Sequence, residues 1–434
     1  MYRVLPLKMR RPTPAARPRI AALLALFTAL AAAFATAIAA PAASADERGL
    51  PARLGGAMAA AGSWSGAYVV NATSGRPVLA WRHTTPRILA SNTKLFTTAA
   101  ALARFGTQGT LATEVRGGGQ LGERGVYRGN LYLVGGGDPT FGSQSFTGRA
   151  YGGGATVEAL AAQLDQAGVE RVAGRVLGDE SAFDGLRGGP DSGYGTSIWV
   201  GPLSALGYNR GLGNENGSSF QTNPPAFAAA RLTDALRRRG IAVGGRAAAG
   251  TAPATADVLA AVESPPMSRL AALTNKPSDN YFAEMLVKDL AMQANGRATT
   301  AAGARVAARF ARRLGGAPAR LADGSGLSRL NRASPYRVVR LLLALRERDE
   351  FLAFSRSLSI AGRDGTLGPR MRRGPARGHC RGKTGTLSNV SAVSGYCRAR
   401  SGDTYVFSIL MNGVDPYGAR NIQDGMLQAL AGVR

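Results

Sequence analysis

Two cysteines, Cys380 and Cys397, and two histidines, His83 and His379, are all that 434 residues contain. A framework of several disulfides is excluded, and so is a multi-cysteine metal site. A Ser-His-Asp triad would have to use one of the two histidines. A zinc site would need nearly every soft ligand in the chain. No metal or organic cofactor is expected. Acids are also scarce: 27 Asp and Glu stand against 53 Lys and Arg, a formal net charge of +26. Such a field attracts polyanions. No nucleic-acid motif accompanies it, so the anions in view are wall polymers or lipid headgroups, and a compositional bias toward Arg explains the charge equally well. Hydrophobic residues make up 45% of the chain, which excludes a disordered protein. The length allows two or three domains.

There is one long apolar run, from Ile20 to Ala40, and it is mostly alanine. Arg3, Lys8, Arg10, Arg11, Arg17 and Arg19 precede it without acids, and the small-x-small triplet Ala43-Ser44-Ala45 follows. This order reads as a signal peptide over 1–45 and implies export. The alternative is an uncleaved membrane anchor. Six of the 53 basic residues and none of the 27 acids lie in this segment, so cleavage leaves a net charge of about +20.

Beyond it, Gly66–Val70 and Pro77–Trp81 read as strands around the turn-rich Asn71-Ala-Thr-Ser-Gly75. A helix starts near Ser91 with Leu95, Ala99 and Leu102 on one face, and Gly106 is its stop. From about 111 to 261 glycines become dense, and strand-like pieces such as Asn130–Val134 alternate with helical ones such as Val157–Ala167. This texture reads as an inserted region. Helices return after Met267, notably Tyr281–Asn295 and Arg337–Arg346. Thr404–Met411 is a strand, and Ile422–Leu430 a last helix. The expectation is an α+β body over 46–110 and 262–434, interrupted by an inserted region over 111–261.

Three short motifs carry the chemistry: Ser91-Asn-Thr-Lys94, Ser278-Asp-Asn280 and Lys383-Thr-Gly385. Each alone has a structural explanation, such as a helix cap for Ser91 or Ser278. In this order they form the signature of serine acyl-transfer enzymes related to penicillin-binding proteins and class A β-lactamases. Ser91 and Lys94 lie one helical turn apart and face the same way. A neutral lysine can take the serine proton once burial and a nearby cation, here Lys383, lower its pKa. Ser278 can relay a proton to the leaving group, and Asn280 can hold Lys94 and the substrate amide. Lys383 and Thr384 can bind a substrate carboxylate. Gly385 permits close backbone approach. None of these roles needs a histidine. His379 is expected at the surface or in a structural role, as is His83.

From about Gly66 to its end the chain resembles the D-Ala-D-Ala carboxypeptidase/endopeptidase family of low-molecular-mass class C penicillin-binding proteins. Besides the trio, the likeness rests on Gly135-Gly-Gly-Asp-Pro139, Ser204-Ala-Leu206 with Asn209, Asp323-Gly-Ser-Gly-Leu-Ser328, Gly365-Thr-Leu367, Lys383-Thr-Gly-Thr-Leu387 and Ser394-Gly-Tyr396. The long gap between Lys94 and Ser278 is part of it. The resemblance implies an antiparallel sheet flanked by helices, as in transpeptidases and β-lactamases, carrying a large insertion with strands and helices. It implies peptidoglycan peptides as substrates and β-lactams as covalent inhibitors. The N–H groups of Ser91 and Thr386 would form the oxyanion hole. Asp179, in the inserted region, would meet a free amine of the substrate. Gly207-Tyr208 depart from the apolar residues that the family pattern implies. Asp323-Gly-Ser-Gly326 reads as a turn-rich loop near the site.

Cys380 and Cys397 flank the third motif. If the segments after Cys380 and before Cys397 pair as antiparallel strands through a turn near Ser388-Asn389, the two residues fall opposite each other. Export favours a disulfide there; two buried thiols are the alternative. Other functions stay open for the sequence. A β-lactamase would need a deacylating Glu, and none can be assigned. An esterase would share the acylation machinery. A non-catalytic wall-binding protein would suit the charge but has no use for the intact trio.

Overall fold

The computed structural model describes residues 45–214, 216–295 and 298–434. The basic and apolar leader expected over 1–45 lies outside them, apart from its last residue. Among the described residues no helix is long and apolar enough to cross a membrane.

The apolar runs near the C-terminus build the central sheet. Strands Cys380–Leu387, Val390–Arg398 and Thr404–Asn412 follow one another as a meander. Ser65–Asn71 then joins the free side of Thr404–Asn412, Pro77–Trp81 follows it, and Ser359–Ile360 closes the opposite edge. All five pairings are antiparallel. The period of two explains why Thr404–Met411 reads as almost continuously apolar. Tyr405, Phe407, Ile409 and Met411 pack on one face with Leu50, Leu54, Met426 and Leu430. Val406 and Leu410 pack on the other with Leu95, Phe282, Val338 and Leu342. A sheet covered on both faces has no polar side to alternate with.

Helix Thr93–Phe105 ends at Gly106, whose φ of 78° suits a glycine. The chain then enters the region expected as an insertion. Strand Ala112–Gly117 leads in and Asp257–Glu263 leads out, and the two pair antiparallel with Ala112 beside Glu263. Between them lie a mixed five-stranded sheet and a smaller four-stranded one. Helices Val157–Gln166 and Pro224–Arg238 cover them through Leu160, Leu164, Leu232 and Leu236. Here the strands do alternate: every second residue of Ala112–Gly117 and Leu131–Gly135 is buried. Ser204–Asn209 forms turns, not a strand. Tyr208 is buried there, edge-on to Phe141 at 6.1 Å. The described residues belong to one compact unit.

The hairpin Leu387–Val390 turns through Ser388-Asn389, with Asn389 at φ 53°, a conformation asparagine tolerates. Its register sets Cys380 opposite Cys397, and the two form a disulfide with Cα atoms 4.0 Å apart.

Candidate active site

Ser91 lies where extended chain becomes helix. Ala90 takes φ 45°, a short 3-10 turn covers Ala90–Asn92, and helix Thr93–Phe105 follows. A positive φ at alanine is held only by tight surroundings. Gly326, at φ 90°, is one of them: a Cβ there would collide with the Ala90 carbonyl. Gly385 is the other, since a Cβ would come within 2.9 Å of both Ser91 N and Leu89 O. The third motif therefore packs its backbone closely against the first. Asn92 adds a hydrogen bond from its Nδ2 to Lys383 O at 3.1 Å.

Lys94 is fully buried one turn beyond Ser91. Its Nζ lies 3.0 Å from Ser91 Oγ, 2.8 Å from Asn280 Oδ1 and 2.7 Å from Ser325 O. Two of these three partners are oxygens that only accept. A neutral amine has two N–H bonds and one lone pair. The ammonium form donates to Ser91 Oγ; once neutral, with both N–H groups given to Asn280 and Ser325, its lone pair would face Ser91 Oγ. Burial lowers the Lys94 pKa to about 8, against the pull of Asp279, Asp323 and Glu284. Lys383 is held well below the usual lysine range by burial first and by Lys94 second, so the two buried ammonium groups disfavour each other.

Ser278 takes φ 64° just before helix Asn280–Asn295. Asp279 accepts from Phe282 N at 3.0 Å, and Arg210 grips its carboxylate at 2.5 and 3.3 Å. Arg210 also lies 5.2 Å over the Tyr281 ring. Asn280 Nδ2 donates to Trp199 O at 3.2 Å. Both Arg210 and Trp199 come from the 111–261 region, so that region fastens the second motif. Ser91, Ser278, Asn280, Thr384, Gly385 and Thr386 line one cavity of about 770 Å³ together with Trp199, Leu327, Thr366, Arg370 and Arg420. No acidic residue lines it. An arrangement of this kind can transfer an acyl group to a hydroxyl.

The model of the D-Ala-D-Ala carboxypeptidase 3 (S13) family matches residues 55–212 and 213–433. The chain belongs to this family. It is 30% identical to a D-alanyl-D-alanine carboxypeptidase of Actinomadura sp. (strain R39), over 85% of this chain and 81% of that one. It is 33% identical to a carboxypeptidase of Mycobacterium tuberculosis, over 80% and 75% of the two chains. Among solved structures it is similar to penicillin binding protein 4 from Haemophilus influenzae, with a TM-score of 0.73, 21% identity, and coverage of 86% of this chain and 97% of that one. That last likeness shows a shared fold, including the mixture of helices and sheets expected from the sequence.

In this S13 member two of the expected site residues stand outside the cavity lining. Lys383 does not line the cavity; it is fully buried and donates to Thr384 O at 2.9 Å. Thr384 and Thr386 line the wall instead, with Arg420 donating to Thr386 Oγ1 at 3.2 Å. Asp179 does not reach the cavity either. It ends strand Val176–Asp179, is 4% exposed, and accepts from Ser181 N and Ala252 N, each at 2.7 Å. Its carboxylate staples these two backbone N–H groups. His83 stacks on Tyr68 at 5.0 Å, and His379 is exposed.

Sequence reasoning missed the acids behind Lys94. Asp323 accepts from Gly326 N at 2.8 Å, Ser328 N at 2.7 Å and Asn331 Nδ2 at 2.7 Å, which shapes the Asp323–Ser328 loop. Glu284 Oε1 accepts from Gly324 N at 3.1 Å and Ser325 N at 2.8 Å. Together they aim the Ser325 carbonyl at Lys94. Burial, then Asp323, push the Glu284 pKa above the usual carboxyl range. A single signal was available: Glu284 follows Asn280 by one turn on the same helix face. Arg420 offered none, since it lies on helix Pro416–Gly432, far along the chain from the other motifs.

Proposed function

We propose that this protein is an exported serine D-Ala-D-Ala carboxypeptidase of peptidoglycan, acylated at Ser91 and blocked by β-lactams. The observation that carries this is the three-way hold on Lys94 Nζ, which leaves Ser91 Oγ as the partner for its lone pair. Neutral Lys94 takes the Ser91 proton as Oγ attacks the carbonyl carbon of the penultimate D-Ala. The N–H groups of Ser91 and Thr386 receive the developing oxyanion. Lys94 returns the proton through Ser278 to the nitrogen of the terminal D-Ala as the C–N bond breaks. Thr384, Thr386 and Arg420 hold the terminal carboxylate, and Lys383 contributes from behind them. Water then hydrolyses the Ser91 ester. The same route cleaves a D-centred crosslink as an endopeptidase. On this reading 46–110 and 262–434 are the catalytic body, 111–261 the insertion, and anionic wall polymers suit the basic surface.

A β-lactam is attacked in the same way, and without an acid in the cavity its ester is expected to persist. Intact mass after incubation with benzylpenicillin tests this. One penicillin should add to the protein and none to Ser91→Ala. Rapid loss of penicillin with no adduct would instead indicate a β-lactamase.

A further inference from the structure

Most of the arginines near the catalytic cavity are paired. Arg370 lies against Asp424 at 2.7 Å, Arg210 against Asp279 and Arg187 against Glu180. The arginines on either side of Arg370 behave differently. Arg363, Arg372, Arg373 and Arg377 are exposed, and none has a carboxylate partner among the described residues. The acid nearest in sequence, Asp364, is engaged by Lys276 and by Ile360 N. Arg372, Arg373 and Arg377, with Gly362 and Met371, line an open cavity of about 800 Å³. The Arg363 guanidinium lies over Gly378, where a Cβ would come within 2.7 Å of its Nε, and the Arg377 stem lies as closely over Gly362.

This loop is fixed. Gln428 of the last helix donates to Arg373 O at 2.7 Å and accepts from Ala376 N at 2.9 Å. Met371 and Ala376 are buried, and Gly378 N donates to Ala361 O at 2.8 Å. The Cys380–Cys397 disulfide anchors the loop's far end. Three of these like charges share one cavity without a carboxylate partner, which costs stability unless a ligand offsets it. A fixed backbone lowers the ordering cost of binding one. Planar guanidinium groups match phosphate oxygens in pairs.

We propose that Arg363, Arg372, Arg373 and Arg377 form a binding site for a phosphodiester polymer of the cell wall. Arg370, between Arg363 and Arg372, already lines the catalytic cavity, so the polymer would lie beside the substrate path. The proposal rests on the wall-acting function above, and its test separates the two. A synthetic glycerol-phosphate oligomer is titrated against the full mature protein, against Arg372→Gln/Arg373→Gln/Arg377→Gln, and against a charge-matched control, Arg305→Gln/Arg312→Gln/Arg320→Gln. Penicillin acylation at an unchanged rate certifies the fold of each variant independently. The expected result is about tenfold or greater weakening in the loop variant, with a shallower salt dependence, and less than about twofold in the control. Equal weakening in both would overturn the proposal, because the net field would then be the cause. So would an effect seen with phosphatidylglycerol vesicles or polyglutamate but not with the oligomer.

Discussion

The two sheet systems of this protein obey different rules. The central sheet is buried on both faces, and its strand Cys380–Leu387 carries the third motif. The sheets of the 111–261 region are alternately buried, and their loops deliver Arg210 and Trp199 to the second motif. A doubly covered strand cannot move its side chains without repacking two cores. A half-covered sheet leaves its loops free to differ while its strands stay put. The lesson is a division of labour: the central body fixes the reacting atoms, and the other region fastens and shapes the entrance. Substitutions behind Ser91 should therefore change rate constants, and substitutions within the other sheets should change stability.

The sharpest probe is Lys94→Met. It removes the only base that touches Ser91 Oγ among the described residues, and penicillin acylation should fall by about a thousandfold or more. In the parent, acylation should rise with pH and level off above about 8, because the Lys94 amine becomes neutral as pH passes its lowered pKa. A flat profile from pH 6 to 9, measured by stopped-flow acylation, would break the assignment. Glu284→Ala comes next. It should lose about a hundredfold in acylation, since two backbone N–H groups lose their acceptor and the Ser325 carbonyl is released. Glu284→Gln keeps an acceptor oxygen and should restore most of the rate. Failure of the glutamine variant to rescue would mean that the carboxyl acts by its proton and not by position. Asp179→Ala is the smallest effect on chemistry and the best test of the contrast. Freeing Ser181 N and Ala252 N should cost about 2 kcal/mol of stability, read as a lower melting temperature, with acylation unchanged. A specific loss of activity on amine-bearing peptides at unaltered stability would return Asp179 to the substrate site.

Strands and helices with a strong period were legible in advance. The strand expected over Gly66–Val70 extends to Ser65–Asn71, and the helix over Tyr281–Asn295 starts at Asn280. Both have apolar spacing that survives any tertiary arrangement. The strand Val176–Asp179 and the pairs around it were not legible, since they are two to four residues long and gain their partners from distant segments. Asp179 is ambiguous for a related reason. An acid in a turn-rich stretch looks the same whether it faces substrate or caps two backbone N–H groups.

By itself the sequence determined which residues can react: a serine and a lysine one turn apart, two further polar motifs, and too few histidines for another route. These are properties of local spacing and composition, which fold only onto themselves. Tertiary structure alone decided how Lys94 is aimed, because its two accepting partners lie 186 and 231 residues away along the chain. It decided that Lys383 stands behind the wall while Arg420 stands in it, and it gathered the four arginines around one fixed loop. The physical reason is common to all of these. Burial and hydrogen-bond partners are set by what packs alongside, and no spacing within a motif records that.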